Sequence, residues 1–523
     1  MIYMFMGVIL NSLFQMLSQF KAFAFFLFFV SQLSAQEVSL TVLAPGYSDK
    51  KVNVWLEDDL FTGHRDLISS EYLENDSAQF IIHDQEIVLI RIELDYQYAL
   101  MLIEPNKNYR VIFPSPNEKS ALTLAKKTRV QLIYKDLDNS DINARVSEFN
   151  LLVDQFILEN LSVEQVHGTD TSIAFEPELE EMFDDRYEIK SFSERGFLKK
   201  LGNFKISMDS LYGYDGSYFA VYRKYVFANL EYSLGKKRRP LFYDYLQDQP
   251  VDYYNVEFVK FFNAFYKDFF DFYSFYPYSE KLISALESVK PTESLLDLIR
   301  GDTLTGLDEM QHLILIKGLY DLYPTTSKWK SRIIEILESL KVDNPYTNQR
   351  LIAQYMVEKL LKGKQGTPIP EMTYINESGD TLNVANLDNT VVYIQFFASW
   401  NTSALAEMEL MTELRKKYSN MVRFLSISID ENYEDFKTFV ENNKSFKWDF
   451  GWVGDDPVIW QDFEIDHLPL FYLIDQHGKI ISWPSLWPST GIESNFYKIK
   501  YNNKEKKKKG YWDGAPNKSN KDG

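Results

Sequence analysis

Over the first part of the chain, apolar positions alternate with polar ones. Val38-Ser39-Leu40-Thr41-Val42 reads as a strand, and so does Lys51-Val52-Asn53-Val54-Trp55. Gln79–Ile82, Ile87–Leu94, Tyr98–Ile103 and Tyr109–Phe113 follow, the last after the turn Pro105-Asn106-Lys107-Asn108. A period of two puts successive side chains on opposite faces of a sheet. Short strands at near-regular spacing predict a small antiparallel, β-sandwich-like domain over residues 36–118. Nothing in it points to catalysis.

From about residue 140 the period lengthens. Val256–Tyr273 carries Phe258, Phe261, Phe262, Phe265, Phe269 and Phe272 three and four apart, which predicts one helix with an aromatic face. Residues 213–234, 308–322, 327–340 and 348–361 also read as helices, punctuated by Pro277, Pro291, Pro324 and Pro345. A central α-helical domain is expected over 140–362, with its aromatic residues filling the core. Lys236-Lys237-Arg238-Arg239 reads as a solvated basic turn.

After the linker Gly363-Lys364-Gln365-Gly366-Thr367-Pro368, strand and helix patterns alternate, as in an α/β domain. Val391–Phe397 and Val422–Ile429 are apolar enough to be buried strands. Helices are expected at Ser403–Tyr418, Tyr433–Asn442 and Gly491–Lys500, with a hairpin at Leu470–Ile474 and Lys479–Ser482. These elements define a domain over 366–500. The remainder, 501–523, is a basic tail low in apolar residues and is expected to be disordered.

Composition narrows the chemistry. A chain of 523 residues implies about three domains. Its formal net charge of −19 opposes a nucleic-acid partner, because phosphate binding relies on lysine and arginine. The sequence contains no cysteine, which removes disulfides, thiolate metal sites and thiol nucleophiles. Its six histidines show no metal-ligand spacing, so neither a metal nor any other cofactor is expected. Lys21, the apolar run Ala22–Val30 and the small residues up to Ala35 follow the order of a secretory signal peptide. Residues 1–35 are therefore expected to be removed, leaving an exported protein of the periplasm or cell envelope without a stable membrane span.

The segment Phe396-Phe397-Ala398-Ser399-Trp400-Asn401-Thr402-Ser403-Ala404-Leu405-Ala406-Glu407 resembles the active-site turn of TlpA/ResA-like thiol–disulfide oxidoreductases, Phe-Trp-Ala-x-Trp-Cys-x-x-Cys-x-x-Glu. Gly366-Thr367-Pro368, the turn Asn376–Asp380, and Leu468-Pro469 leading into Leu470–Asp475 are similar to the flanking motifs of that redoxin family. The resemblance implies a thioredoxin-like fold for 366–500, with Pro469 in a cis bond. It places Asn401 and Ala404 where the family has its two cysteines. Asparagine cannot ionise to a nucleophile and alanine cannot resolve a mixed disulfide, so no catalytic residue is assigned. Asn401, Thr402 and Ser403 are good helix-capping residues. Glu407, at the family's acidic position, reads as a helix-surface carboxylate in the absence of a thiol.

The function expected is that of a redox-inactive binding module. A groove lined by Trp400, Asn401, Thr402, Ser403, Glu407, Leu468 and Pro469 would hold a peptide or an envelope protein by strand addition. The alternative is a scaffold in which the thioredoxin-like domain serves only as a packing module. The family's oxidoreductase activity is contradicted by the missing cysteines. No triad, carboxylate pair or phosphate loop marks a new catalytic site in 37–362.

Overall fold

A computed structural model describes residues 37–84, 86–95, 97–115, 128–160, 194–274, 278–384, 390–465 and 467–501. The expected signal segment and the basic tail past Tyr501 lie outside the described residues. The chain divides into two units. The first comprises described residues up to Ile336 with Asp343–Ile352, and the second Leu337–Val342 with everything from Ala353 onward.

In the first unit the strands are β1 (Glu37–Leu43), β2 (Lys51–Asp59), β3 (His64–Tyr72), β4 (Ser77–His83), β5 (Val88–Leu94), β6 (Gln97–Ile103), β7 (Asn108–Ile112), β8 (Thr128–Arg129) and β9 (Ile133–Tyr134). They form two sheets, ordered β4-β1-β7-β9 and β3-β2-β5-β6-β8. Alternate residues of each turn inward: Val38, Leu40 and Val42 share a core with Val52, Val54, Ile90, Ile92, Met101 and Ile103. The sandwich is mixed, not wholly antiparallel as expected, since β1–β7 and β6–β8 pair in parallel. The chain leaves the first sheet between these strands, so β7 returns beside β1 by a crossover and not by a hairpin.

The helices are α1 (Ile142–Asn160), α2 (Glu194–Tyr212), α3 (Tyr218–Ser233), α4 (Arg238–Tyr245), α5 (Val256–Phe265), α6 (Tyr278–Glu287), α7 (Pro291–Arg300), α8 (Asp308–Thr325), α9 (Lys330–Asp343) and α10 (Thr347–Leu361). Asn143 of α1 clasps β6: its Oδ1 accepts from Leu102 N at 3.0 Å and its Nδ2 donates to Leu102 O at 2.7 Å. The single helix expected over 256–273 ends at Phe265. Asp268 takes a left-handed conformation (φ 52°), which an α-helix cannot contain, and Phe269–Ser274 continues as a 3-10 turn. Its aromatic face is nonetheless core, with Phe258, Phe261, Phe262 and Phe265 all buried. Phe61, between β2 and β3, meets Phe262 edge-on at 5.5 Å, so sandwich and helices join through aromatic packing. The basic run is a surface feature pinned at two points. Lys236 bridges Glu231 and Asp244, and Arg238 donates to Phe265 O at 2.8 Å.

At the end of β2, the buried Asp59 carboxylate accepts from Phe61 N at 2.9 Å and Thr62 Oγ1 at 2.6 Å. Burial outweighs these bonds and pushes its pKa up to about 6 from 3.8. The folded state therefore binds the proton more tightly than the unfolded chain. The stabilisation is complete below about pH 4 and is lost as pH rises through 6. A rise of this size corresponds to about 3 kcal/mol. Urea unfolding of the Asp59→Asn variant and its parent at pH 4 and pH 8 should show the parent losing about 2.5 kcal/mol relative to the variant. A gap that does not change with pH would refute the assignment.

The second unit holds β10 (Thr373–Asn376), β11 (Thr381–Asn383), β12 (Val391–Phe397), β13 (Val422–Ser428), β14 (Asp449–Trp452), β15 (Leu470–Ile474) and β16 (Ile480–Ser482), in the order β11-β10-β14-β13-β12-β15-β16. The three central strands β14, β13 and β12 are parallel, and β15 runs antiparallel to β12. Helices α11 (Thr402–Tyr418), α12 (Tyr433–Asn442) and α13 (Pro457–Asp462) complete it, with a further helix at 493–501. Both faces of β12 are covered: Ile394 and Phe396 enter one apolar cluster, Tyr393 and Phe397 the other. Among the described residues, no helix is long and apolar enough to cross a membrane.

Candidate functional site

β12 ends at Phe397, and the chain turns through Ala398-Ser399-Trp400 into α11. The turn is held from the neighbouring strand. Phe397 pairs with Ser428 at the end of β13, which brings Asp430 alongside. Each oxygen of the buried Asp430 carboxylate lies 3.0 Å from Ser399 N, Oδ1 also accepts from Ser399 Oγ at 3.0 Å, and Oδ2 accepts from Ser428 Oγ at 2.6 Å. A buried charge is tolerated when its lone pairs are met, and these bonds meet them. Trp452 Nε1 closes the far side on Asp430 O at 2.7 Å.

Asn401 stands where the helix begins. Its N–H donates to Ala398 O at 3.0 Å, and its Oδ1 accepts from Ala404 N at 2.9 Å, so it is the N-cap of α11. Thr402 and Ser403 are exposed in the first turn. Ala404 is fully buried and packs with Met408 and Met411. Beneath it runs a polar chain. Trp448 Nε1 donates to Ser426 Oγ at 3.0 Å, Ser426 Oγ to Gln395 Oε1 at 2.9 Å, and Gln395 Nε2 to Ala404 O at 3.2 Å.

Glu407 corrects the expectation of a helix-surface carboxylate. It is buried, and Ser489 serves it twice, through its backbone N at 2.9 Å and through its hydroxyl. Burial, reinforced by the charge of Glu407, drives the pKa of the nearby Tyr393 hydroxyl well above its ordinary value. That hydroxyl is a fixed donor to Leu486 O at 2.7 Å. Glu407 and Ala404 thus belong to the interior and not to an open groove.

The Leu468–Pro469 bond is cis, as the resemblance implied. Pro469 is buried and Leu468 half-buried. Phe396 pairs with Leu470, and carrying that register onward sets Leu468 opposite Ala398, just before the Ser399-Trp400 turn. Among the described residues, neither the amide nor the carbonyl of Leu468 has a backbone partner. Trp400 is 60% exposed. Of the predicted residues, Trp400, Thr402 and Ser403 are exposed, Asn401 and Leu468 are half-buried, and Pro469 is buried. Asp430, Ser399 and Gln395 hold the turn and the helix start in place and were not singled out by sequence. The hint was there in a polar residue, Asp430, following an apolar strand run.

Among the described residues, Asp58, His64 and Asp66 bring possible ligand atoms within 4.8 Å of one another. His64 Nδ1 lies 3.6 Å from Asp58 Oδ2.

Residues 389–480 match the family model described as thioredoxin-like. The C-terminal domain resembles thiol–disulfide oxidoreductases and lacks both cysteines. A relative named thiol-disulfide oxidoreductase ResA, from Bacillus thuringiensis (strain Al Hakam), is 26% identical over 125 residues, spanning 24% of this chain and 69% of its own. Among solved structures, a thiol-disulfide oxidoreductase from Bacteroides fragilis shows 24% identity, covering 25% of this chain and 98% of that one, with a TM-score of 0.23. The thioredoxin domain of a thiol-disulfide oxidoreductase from Bacteroides vulgatus shows 22% identity, covering 23% and 86%, with a TM-score of 0.21. Without sulfur at positions 401 and 404, the thioredoxin-like domain cannot exchange disulfides.

Proposed function

We propose that the thioredoxin-like domain is a redox-inactive binding module, which takes an extended peptide or partner segment along Trp400, the start of α11 and the Leu468 backbone. One observation carries the reading. Trp400 is a large exposed aromatic residue on a turn whose polar groups are already satisfied by Asp430 and Asn401. Tryptophan on a rigid support is the kind of residue that anchors interfaces. The open backbone of Leu468 supplies the strand-addition edge beside it. The signal-like residues 1–35 support export, and the periplasm or cell envelope is the proposed place of action.

The test takes the chain from the envelope fraction, where its N-terminus should read Gln36, and selects binders from a displayed library of random decapeptides. Parent protein should enrich extended sequences of micromolar affinity, a range typical of unassisted strand addition (about −8 kcal/mol). Trp400→Ala should weaken them about tenfold or more while changing stability by only about 0.5 kcal/mol, because so little of the ring is buried. Equal binding by the variant refutes the site. No saturable binding by the parent leaves the scaffold reading in its place.

A further inference from the structure

In the first unit, α2, α3 and α4 converge on a pocket of about 250 Å³ that has no part in the proposed peptide face. Lys205 and Asp209 are one turn apart on α2, and Ala220, Lys224 and Phe227 lie along one face of α3. Tyr245 at the end of α4, with Tyr214 and Gln249 from the loops, completes the lining. The volume exceeds the roughly 150 Å³ that admits a benzene ring.

The lining carries two lysines, Lys205 and Lys224, and two aspartates, Asp209 and Asp244, and they differ in their partners. Asp209 has Arg223 Nη1 at 3.7 Å, and Asp244 has Lys236 Nζ at 2.8 Å. Lys205 donates to the Tyr245 hydroxyl at 3.0 Å and sits 4.8 Å from the centre of its ring. Lys224 has no hydrogen bond or ion pair among the described residues, only the Tyr225 ring at 5.3 Å. We propose that this pocket binds a small organic anion, a carboxylate on a flat apolar body, with the carboxylate between Lys224 and Lys205 and the body against Phe227 and the tyrosine rings. The strain on Lys224 agrees with this. Burial, with the charge of Lys205 added, pulls its pKa down to about 8, and an anion beside it would relieve both effects.

The shape and the charge make separate demands. An aromatic wall accepts any flat ring, whereas an unpaired ammonium in a partly dry pocket discriminates by charge. The probes are therefore 2-naphthoate and its uncharged isostere 2-naphthamide, titrated against the full chain by calorimetry. Naphthoate should bind saturably, at about 100 μM or tighter, and naphthamide at least tenfold more weakly. Lys224→Met keeps the length of the side chain without its charge and should lose tenfold or more of naphthoate affinity, while Lys224→Arg should retain it. Acylation by a succinimidyl ester, read by peptide mass spectrometry, is a second measure that needs no variant. Lys224 should react faster than the exposed lysines, and naphthoate should protect it. Equal affinity for the two probes, unchanged binding by a folded Lys224→Met variant, or labelling of Lys224 that naphthoate leaves untouched would each overturn the proposal.

Discussion

A variant carrying Asn401→Cys and Ala404→Cys should gain disulfide-exchange activity that its cysteine-free parent lacks entirely. The reason lies in what the fold retains. Position 401 is an N-cap, at the positive end of α11, and position 404 is one turn further along the same helix. Residues three apart on a helix have Cα atoms about 5 Å from each other, within the span of a disulfide. A free thiol of ordinary pKa is about 3% thiolate at pH 7, whereas one lowered to about 7 by a helix N-terminus is half ionised. Alkylation of Cys introduced at 401 by iodoacetamide should therefore run about tenfold faster at pH 7 than at Ser378→Cys, an exposed hairpin position. Losing the Asn401 cap costs about 1 kcal/mol, and fitting a sulfur at the fully buried position 404 a similar amount. A stable domain tolerates both. Insulin reduction should be seen with the double variant and not with the parent. A folded double variant that alkylates no faster than the hairpin control and reduces nothing would show that the helix start no longer activates a thiol.

The same region shows what one sequence can and cannot disclose. β12 and β13 were legible because strands covered on both faces read as predominantly apolar runs, and the helix start because Asn401-Thr402-Ser403 supplies good capping residues in sequence. The burial of Glu407 was not legible, since it depends on Ser489, 82 residues away. The Asp430 clamp on Ser399 likewise spans 31 residues. In the first unit β3 escaped notice because it is a polar edge strand, with no fully buried position and two shifts of register against β2. The break in the aromatic helix was hidden for a different reason. Phenylalanine spacing continues past Asp268 into the 3-10 turn, so the apolar period persists where the backbone geometry changes. Local pattern reports local burial, and the contacts that shape the candidate site are mostly distant ones.

β14 was also missed, and its glycine explains why while exposing a close approach in the sheet. Asp449-Phe450-Gly451-Trp452 is short, and a glycine inside a strand usually argues against one. Here it marks close approach. Gly451 lies opposite Ile427 of β13 and Asn376 of β10. A Cβ at this position would overlap the edge of the Tyr374 ring and lie 2.8 Å from Ile427 Cδ1. The isoleucine tip can turn aside. The tyrosine ring cannot, because it is rigid and fully enclosed in the core of the second unit. Gly451→Ala should therefore destabilise this unit by about 3 kcal/mol, the upper end of ordinary overpacking, and Gly451→Val by about 4 kcal/mol or more. Unfolding in urea, followed by the fluorescence of Trp448 and Trp452, would measure both. The cause is separable from a general intolerance of substitution. Tyr374→Ala alone should cost about 3–5 kcal/mol by leaving a cavity, yet in that background Gly451→Ala should become nearly neutral. The coupling expected is thus about 3 kcal/mol in the relieving direction. Additive losses, with the double variant as unstable as the sum of the singles, would mean that the ring is not what requires glycine at 451.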